Sequence, residues 1–422
     1  MQNRLLLIAY YFPPLGLSGV QRVLKWAKYL PDNGWAVTVL TPSPASYFAL
    51  DESLLGDLEG RDVEIVRTRS VDPTRWVKNR GAGLPGESRR QFLSLVSQAL
   101  LQPDNKIGWY PFAVDAGLKC LRSRTHHAIL SSAPPYTSHL IGARLSQLTG
   151  IPLTVDYRDD WIQNPRHTYV TDWHRQLSVD LEAHVFSHAT RVLAINDVIA
   201  ANLARRVEGL LSPESVHVVP HGYDPDDLVH TEQAPRDSLE FLYNGVFYDA
   251  QQPDAFLQGL ARYFQDNPGE RAQVTARFTG HMPPDMEERI ARLGLQESVI
   301  LDGYLPHRQA SERLMSADIL WMTVGEAKGA EMISTSKLFE YIGTGKPILG
   351  LVPEGTARDT LTAYGRSMVA DPHDIAGIAS AIAAMVKGLR DGSIAPPDAE
   401  FQERHDRRHI AARLARLLTE DA

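Results

Sequence analysis

The sequence has almost no cysteine, no long hydrophobic run and no excess of positive charge. Cys120 is the single cysteine among 422 residues, so no internal disulfide can form and no cage of thiolates can hold a zinc ion. This composition is typical of a reducing compartment, and we expect a cytoplasmic protein. No apolar stretch approaches the roughly 20 residues that a membrane-spanning helix needs. The formal net charge of −8 argues against nucleic acid as a partner.

The length and the apolar patterns indicate more than one domain. A chain of 422 residues exceeds one ordinary hydrophobic core, so two or three domains are expected. The short apolar run that ends at Ile8 is soon followed by Pro13-Pro14, which favours a first strand over a signal peptide. From there, strand-like runs alternate with helical patterns, and the alternation predicts two doubly wound parallel sheets whose strand-end loops face each other across a cleft.

Composition also predicts the boundaries of these domains. We expect a first Rossmann-like domain over residues 1–222, an acidic, proline-bearing linker over 223–238, a second Rossmann-like domain over 239–395, and a final region over 396–422. One helix from about 399 to 418, rich in arginine, is predicted to fill most of that final region. In the linker, Asp224-Pro225-Asp226 has the outline of a metal site, but helix capping is the preferred interpretation.

The most informative stretch is 331–350, which has the pattern of a loop, a short helix and a buried strand. The hydroxyl run Ser334-Thr335-Ser336 is typical of an N-cap, and Leu338 belongs to the apolar face of the helix that follows. Lys337 and Glu340 lie three residues apart on the opposite face. A helix that begins with unpaired N–H groups at the end of a sheet is an anion site. Glu340 lies one turn after the start of this helix. There its carboxylate is placed either to accept a hydrogen bond from a sugar hydroxyl or to form an ion pair with Lys337.

Other strand ends carry polar or glycine-rich loops. Residues 10–19 are predicted to be a glycine loop between a strand at 5–9 and a helix at 20–30, an order that suits a phosphate or sugar cradle or a plain tight turn. Charged and aromatic residues crowd 156–165, where an open sheet binds its ligands; for Asp159 and Asp160 the alternative is a cap or an ion pair with Arg158. Residues 67–90 hold seven bases against two acids, which favours either a solvated loop or a contact with anionic lipid or an acceptor phosphate.

Five motifs in this order resemble the GT-B glycosyltransferases of glycosyltransferase family 4, which are retaining and use nucleotide sugars. The motifs are Tyr11-Phe12-Pro13-Pro14 with Gly16 and Gly19-Val20, the turn 131–137, Val155 to Trp161, His221-Gly222-Tyr223-Asp224, and Ser336 to Tyr341. The resemblance covers nearly the whole chain. It implies that the first domain binds the acceptor and the second binds the sugar nucleotide, with the final helix crossing back to the first domain.

The same resemblance implies roles for particular residues. Glu340 would hold the ribose hydroxyls, and the turn around Lys337 would meet the diphosphate. The implied donor-binding residues are Glu340, Glu331, Ser334, Thr335, Ser336, Leu338, Gly245, Gly280, Tyr304 and Leu305. The implied acceptor and closing-loop residues are Gly16, Gly19, Ser132 and Asp156, and the implied catalytic residues are Asp159, Arg158 and Lys337.

The sequence departs from the family pattern at two places. The family has two glutamates separated by seven residues, but Met332 stands where the first is expected and Glu331 is one position off. The loop after the first strand of the second domain, residues 245–252, has no base to neutralise a diphosphate. Lys337, the helix N-terminus and Arg158 are the candidates to replace it.

The resemblance therefore predicts transfer of a sugar from a nucleoside diphosphate sugar to a hydroxyl, with retention and without a metal ion or further cofactor. The acceptor would be a glycan or a lipid-linked sugar in bacterial surface polysaccharide, lipopolysaccharide or glycolipid assembly, at the inner face of the cell membrane. Two alternatives remain open: a GT-B sugar-nucleotide epimerase, and a non-catalytic nucleotide-sugar-binding partner in a polysaccharide assembly complex.

Overall fold

The structure is a computed structural model that describes residues 2–16, 18–44, 50–73, 98–164, 167, 169–228, 238–247, 251–325 and 329–420. The chain divides into two compact units. Residues 1–220 together with 410–422 form the first unit, and residues 221–409 form the second. Most of the predicted basic segment (74–90) and most of the predicted linker (229–237) lie outside the described residues.

The first unit is built on a seven-stranded parallel sheet. Its strands are nearly continuous apolar runs, as expected where helices cover both faces of a sheet. In space the order is β3-β2-β1-β4-β5-β6-β7. The strands are β1 Asn3–Ile8, β2 Trp35–Pro42, β3 Val63–Thr68, β4 Ala128–Ala133, β5 Leu153–Tyr157, β6 Arg191–Ala194 and β7 Val216–Val218.

Helices cross over between these strands. They are α1 Ser18–Tyr29, α2 Tyr110–Ser123, α3 Thr137–Thr149, α4 Asp172–Phe186 and α5 Asp197–Val207. The periodicity predicted all of them except α2. The core of this unit also takes in residues from the far end of the chain, because Ile410, Leu414 and Leu418 belong to the same buried cluster as Leu5 and Leu7 of β1.

The second unit has a six-stranded parallel sheet in the order β10-β9-β8-β11-β12-β13. The strands are β8 Leu239–Asn244, β9 Val274–Thr279, β10 Val299–Gly303, β11 Ile319–Thr323, β12 Ile348–Leu351 and β13 Ser367–Ala370. The helices are α6 Asp254–Asp266, α7 Met286–Arg292, α8 His307–Ser316, α9 Ser336–Gly343, α10 Thr356–Tyr364, α11 Ile375–Arg390 and α12 Ala399–Arg404. The predicted fold class, two doubly wound α/β domains, is confirmed.

The single helix predicted near 399–418 is wrong, because the chain forms two helices there. α12 ends at Arg404 and α13 spans Arg407–Thr419. In the break, the Tyr223 N–H donates to the His405 carbonyl at 3.0 Å and the Arg407 N–H donates to the Tyr223 carbonyl at 2.9 Å. These two backbone hydrogen bonds to Tyr223 replace two hydrogen bonds that a continuous helix would form within itself. The helical periodicity of residues 399–418 does not reveal that Tyr223 is their partner.

Two smaller observations concern the sequence predictions. The Asp224 carboxylate accepts from the Asp226 N–H at 3.0 Å, which confirms the preferred capping interpretation. Among the helices that the structure describes, none combines the length and the apolar character that crossing a membrane requires.

Candidate functional site

The carboxyl edge of the second sheet has a point where the chain connections diverge. β8 and β11 are neighbours, but the chain leaves β8 toward β9 on one side and leaves β11 toward β12 on the other. The loops of two such strands separate and leave a crevice, which is where open α/β sheets bind their ligands. The loop after β8 contains Gly245, and the loop after β11 leads into α9.

The first turn of α9 presents unpaired backbone donors. Thr335 is the N-cap, and its hydroxyl accepts from the Lys337 N–H at 3.3 Å, so a member of the predicted hydroxyl run does cap this helix. Within the described residues, the N–H groups of Ser334, Thr335 and Ser336 donate to no protein acceptor. Because the helix dipole places partial positive charge here, this turn is suited to bind an anion.

Lys337 brings its ammonium group to the same place. Its Nζ lies 3.8 Å from the ring centre of Tyr243, and a Cβ built on Gly245 would lie only 2.5 Å from it. Gly245 has a φ of +148°, so a side chain at that position would be both strained and in collision with the ammonium. Lys337 therefore reaches the loop after β8 because residue 245 is a glycine.

The Lys337 ammonium has no hydrogen-bond acceptor and no ion-pair partner in the part of the chain that the structure describes. Burial lowers its pKa from 10.5 to about 7, and the charge of Glu340 opposes that shift. Lys337 is half-buried, and a cation that has lost part of its hydration and has no ion-pair partner raises the energy of the unliganded protein. An anionic ligand placed between Lys337 and the first turn of α9 would supply the missing partner.

Glu340 stands one turn further along α9 and is half-buried. Its carboxylate makes no hydrogen bond and no ion pair with any described residue, so the alternative of a pair with Lys337 is not formed. The next side chain, Tyr341, is buried and its hydroxyl accepts from the Asn244 N–H at 2.8 Å. This bond fixes α9 against the loop after β8 and thereby sets the position of Glu340.

Leu338 requires a correction. Its side chain is fully buried in a core cluster that includes Phe339, Tyr341 and Ile342, so it is out of reach of a donor molecule. The predicted apolar face of α9 is correct, and the predicted donor contact of Leu338 is wrong, because the same residue cannot serve both.

The loops after β8, β9 and β10 are joined by backbone contacts. Gly245 donates to the Thr279 carbonyl at 2.8 Å, and Gly280 donates to the Gly303 carbonyl at 2.7 Å. A Cβ on Gly280 would lie 1.9 Å from the Gly245 carbonyl oxygen, so only glycine permits this approach. Tyr304, exposed, stacks on the His281 ring with 5.2 Å between ring centres, and Leu305 is half-buried beside it.

The structure shows how the offset glutamate is placed. Glu331 is exposed, while Met332 next to it is buried. Both belong to a short 3-10 turn, Ala330–Met332, that is tied to α10 by a bond from the Thr356 hydroxyl to the Glu331 carbonyl at 2.9 Å. The family's acidic position is therefore occupied by an apolar core residue, and the acid one step earlier points away from the core.

In the first unit, the predicted acceptor residues Asp156 and Ser132 are buried and paired with protein groups. Arg22 makes a bidentate ion pair with Asp156, its shortest distance being 2.8 Å, and the Ser132 hydroxyl donates to Asp156 at 2.7 Å. Arg22 also donates to the carbonyls of Val219 and Pro220. The structure corrects the predicted acceptor contact: these side chains join β4, β5, α1 and the chain after β7.

Arg158 likewise holds loops together. Its guanidinium donates to the carbonyls of Ala133 at 3.2 Å, of Gly19 at 2.5 Å and of Pro134, and burial lowers its pKa. It thus fixes the glycine loop before α1, in which Gly16 is buried and Gly19 half-buried, against the loop after β4.

The two aspartates after Arg158 differ. Asp159 is half-buried. Asp160 is buried and pairs with Arg206 at 2.9 Å, and an ion pair with Arg158, one of the two alternatives, is not formed among the described residues. Its carboxylate also caps the turn after β5 by accepting from the Ile162 N–H at 3.0 Å, which is the capping alternative.

Sequence reasoning missed Arg22, Tyr243 and Tyr341. Arg22 and Asp156 are 134 positions apart, and nothing in the local pattern of α1 indicates that distant partner. For Tyr341, the sequence shows an aromatic residue next to the charged face of α9, but it does not predict that its hydroxyl accepts a hydrogen bond from the Asn244 N–H.

Comparison with known proteins agrees with this arrangement. Residues 19–222 match the family model described as a Glycosyl transferase 4-like domain. No curated protein sequence matches the chain.

Solved structures share its fold at low sequence identity. Sucrose-phosphate synthase from Thermosynechococcus elongatus is 15% identical with a TM-score of 0.67, over 99% of each chain. HepE from Anabaena, in complex with UDP and glucose, is 15% identical with a TM-score of 0.66, over 99% of this chain and 100% of that one. The lipopolysaccharide outer core galactosyltransferase WaaB is 12% identical with a TM-score of 0.59, over 99% and 100%.

The domain match and the shared two-sheet fold confirm the resemblance drawn from the sequence motifs. Residues 19–222 form a glycosyl transferase 4-like domain, and the whole chain has the fold of two parallel α/β sheets that these solved structures share.

Proposed function

We propose that the protein transfers a sugar, with retention, from a nucleoside diphosphate sugar to a hydroxyl of a glycan or lipid-linked acceptor in bacterial surface polysaccharide or glycolipid assembly. One observation carries the proposal. At the switch point of the second sheet, an unpaired ammonium, an unpaired carboxylate and unpaired backbone donors lie on two turns of one helix. A nucleoside diphosphate has a complementary anion and a pair of ribose hydroxyls.

In this proposal the diphosphate lies against the first turn of α9. The N–H groups of Ser334 to Ser336 and the Lys337 ammonium donate to its oxygens, and Glu340 accepts from the ribose hydroxyls. The loops that contain Gly245, Gly280 and Tyr304 line the nucleoside. Positive charge comes from Lys337 and the helix N-terminus, and no divalent cation is part of the proposal.

The chemistry follows from the position of that positive charge. As the bond between the anomeric carbon and the diphosphate oxygen breaks, negative charge grows on the leaving group and the sugar becomes oxocarbenium-like. Donors already directed at the developing charge lower the barrier. The acceptor oxygen then bonds to the anomeric carbon on the same face, and its proton passes to the leaving phosphate, so the configuration is retained.

A direct test uses Glu340→Gln. A hydrogen bond to a charged group contributes about 1.5–3 kcal/mol, so the variant should bind nucleoside diphosphate roughly ten- to hundredfold more weakly. The parent should prefer the ribonucleotide over its 2′-deoxy form, and the variant should lose that preference. Isothermal titration calorimetry measures both, with Glu354→Gln on the surface of the same unit as a matched control. Equal binding by Glu340→Gln and the parent would refute this donor site.

Product analysis separates the alternatives. A thermal-shift screen of nucleoside diphosphate sugars identifies the donor, because a ligand at 100 times its dissociation constant adds about 2.7 kcal/mol of stability. Incubation of that donor alone, followed by NMR, would show an inverted sugar for an epimerase. Binding without turnover across glycan and lipid-linked acceptors would indicate a non-catalytic partner. Release of nucleoside diphosphate that depends on an acceptor supports transfer.

A further inference from the structure

The aromatic side chains of the second unit form a stack that ends at the Lys337 ammonium. The rings of Tyr243 and Phe247 are nearly parallel, at 9°, with 4.0 Å between their centres. Phe247 therefore covers one face of the Tyr243 ring. The Lys337 Nζ lies 3.8 Å from the centre of the same ring, and since Phe247 occupies one face, the ammonium lies on the other.

The Tyr243 ring is fixed in place from several sides. Tyr243 belongs to β8 and is buried, and its ring centre lies 4.9 Å from that of Trp321 on the neighbouring strand β11. Its hydroxyl donates to the Val246 carbonyl at 3.3 Å, and the Phe247 N–H donates to the His281 carbonyl at 3.2 Å. These contacts fold the loop after β8 back over the ring, so the ring cannot turn away from the ammonium.

The contact between Lys337 and this ring differs from an ion pair. An aromatic ring carries partial negative charge on its faces, and that charge attracts an ammonium. The ring directs no lone pair at the ammonium, so the three N–H donors of a lysine stay available. Among the described residues, no carboxylate or carbonyl accepts from Lys337. The fold thus holds the lysine in one place and leaves its charge without a counter-ion.

We propose that Tyr243 is a positioning residue: its ring holds the Lys337 ammonium where the diphosphate of the donor binds, without competing for the charge. This inference rests on the proposed function, which places the diphosphate at Lys337. A lysine side chain that moves freely loses rotamer freedom when it binds a phosphate. A lysine that the fold already holds loses less, so the ring raises the affinity for the diphosphate. The same preorganisation stabilises the charge that develops on the leaving group.

A double-mutant cycle in the full chain tests this role. Uridine, guanosine and adenosine diphosphates are titrated into the parent by calorimetry, and the tightest of them is the probe. Tyr243→Leu should bind the probe about tenfold more weakly, because the ammonium loses its attraction to the ring. Tyr243→Phe keeps the ring and should recover most of that loss. In a Lys337→Met background, Tyr243→Leu should cause no further loss, because the ring then has no ammonium to hold.

A matched control removes a buried tyrosine elsewhere in the same unit. Tyr263 lies on α6 and is buried, with its ring centre 5.6 Å from that of Phe264. Tyr263→Leu should lower the free energy of unfolding as Tyr243→Leu does, since both remove buried aromatic surface. Its affinity for the probe should equal that of the parent. Equal losses of affinity in the two variants would indicate general destabilisation and would overturn the role of Tyr243.

NMR spectroscopy reads the contact directly and needs no nucleotide. Protons above the face of an aromatic ring resonate upfield because of the ring current. In protein that is isotope-labelled at the lysine ε-carbon, the signal that disappears in Lys337→Met belongs to Lys337. That signal should be shifted upfield in the parent and in Tyr243→Phe, and the shift should be lost in Tyr243→Leu. A Lys337 signal at the ordinary position in the parent overturns the proposal, also in the case where Tyr243→Leu does not fold.

The outcomes separate this inference from the proposed function. Weaker binding by Lys337→Met, together with equal binding by Tyr243→Leu and the parent, overturns the positioning role and leaves the proposed function standing. A loss from Tyr243→Leu that is as large in the Lys337→Met background also overturns the role, because the ring then acts through the fold. A parent that binds none of the nucleotides, or a Lys337→Met variant that binds as tightly as the parent, refutes the proposed donor site and with it the role of the ring.

Discussion

The carboxyl edges of the two sheets both carry charged residues, but they use them differently. In the first unit Asp156 is paired with Arg22, and Asp160 is paired with Arg206. In the second unit Lys337 and Glu340 make no hydrogen bond and no ion pair with a described residue; Lys337 lies against the ring of Tyr243. Satisfied charges hold loops together, whereas unsatisfied charges raise the energy of the free protein until a ligand arrives. The presence of an ion-pair partner, more than position at a strand end, therefore distinguishes the residues that hold loops together from the residues that we propose bind a ligand.

The largest effect should come from breaking a satisfied pair. Asp156→Ala leaves the Arg22 guanidinium buried without its carboxylate, and removing one partner of a buried ion pair costs about 3–5 kcal/mol of unfolding free energy. Urea denaturation, followed by a probe in the first unit, measures that loss. Adding Arg22→Met should recover part of it. Nucleoside diphosphate affinity should stay unchanged, and a fall in affinity with normal stability would mean that Asp156 is a ligand-binding residue.

The opposite result is expected for an unsatisfied charge. Lys337→Met should weaken nucleoside diphosphate binding by roughly ten- to hundredfold, because a charge-assisted bond contributes about 1.5–3 kcal/mol. Stability without ligand should not fall, since the half-buried lysine has no ion-pair partner to lose. Lys387→Met, an exposed lysine of α11 in the same unit, is the control and should change neither quantity. A destabilised Lys337→Met protein with normal affinity would contradict the comparison.

The lowered pKa of Lys337 leads to a prediction of how binding of the nucleoside diphosphate depends on pH. Its pKa in the free protein is about 7, and a bound diphosphate raises it, so binding above that pH takes up a proton. Affinity should then fall about tenfold for each pH unit above about 7, until the pKa of the complex is reached. Calorimetry in buffers of different ionisation enthalpy counts the protons. Lys337→Arg should flatten the profile, because guanidinium stays protonated, and an equal slope in that variant would rule out Lys337 as its origin.

The unfolding free energy of the unliganded protein should also depend on pH through the proton of Lys337. The folded-state pKa of Lys337 is lowered, so folding releases a proton between about pH 7 and the unfolded value near 10.4. The unfolded chain binds more protons in that window, and the contribution of Lys337 to stability therefore rises with pH across it. Comparison with Lys337→Met over the same pH range isolates that contribution from other titrating groups.

The smallest effect is expected at Glu331. It is exposed, and exposed charges contribute little, so Glu331→Gln should weaken binding of the nucleotide sugar by at most about fivefold. Binding of the nucleoside diphosphate without its sugar should be unchanged, because Glu331 is proposed to approach the sugar. A silent variant would show that the family's first acidic position is vacant here, and the sugar would then be held by backbone donors around residues 333–335.

Local patterns were sufficient for most of the fold. Apolar runs, glycine breaks and capping hydroxyls predict the alternation of strands and helices, and they place Thr335, Lys337 and Glu340 on the correct turns of α9. These signals depend on neighbours within a few residues, where propensity and periodicity act. The predicted domain roles, and the donor and acceptor contacts that the structure does not correct, stay predictions.

Tertiary partners could not be predicted in the same way. The Arg22–Asp156 pair and the bonds that interrupt the last helix at Tyr223 join segments far apart in the sequence, and charge alone does not reveal which group will be nearby. Leu338 shows the converse error, because a motif position was taken as a ligand contact although its apolar character already predicted burial.

The packing of Ile410, Leu414 and Leu418 in the core around β1 of the first sheet has a consequence for how the protein is made. Chains fold from the N-terminus as they are synthesised, but this core gains its last layer only after the whole second unit has left the ribosome. Closing so long a loop is slow and leaves apolar surface uncovered in the meantime. Residues 410–418 therefore give the first unit a late folding step, and a nascent chain that stops before them keeps an incomplete core open to chaperones and proteases.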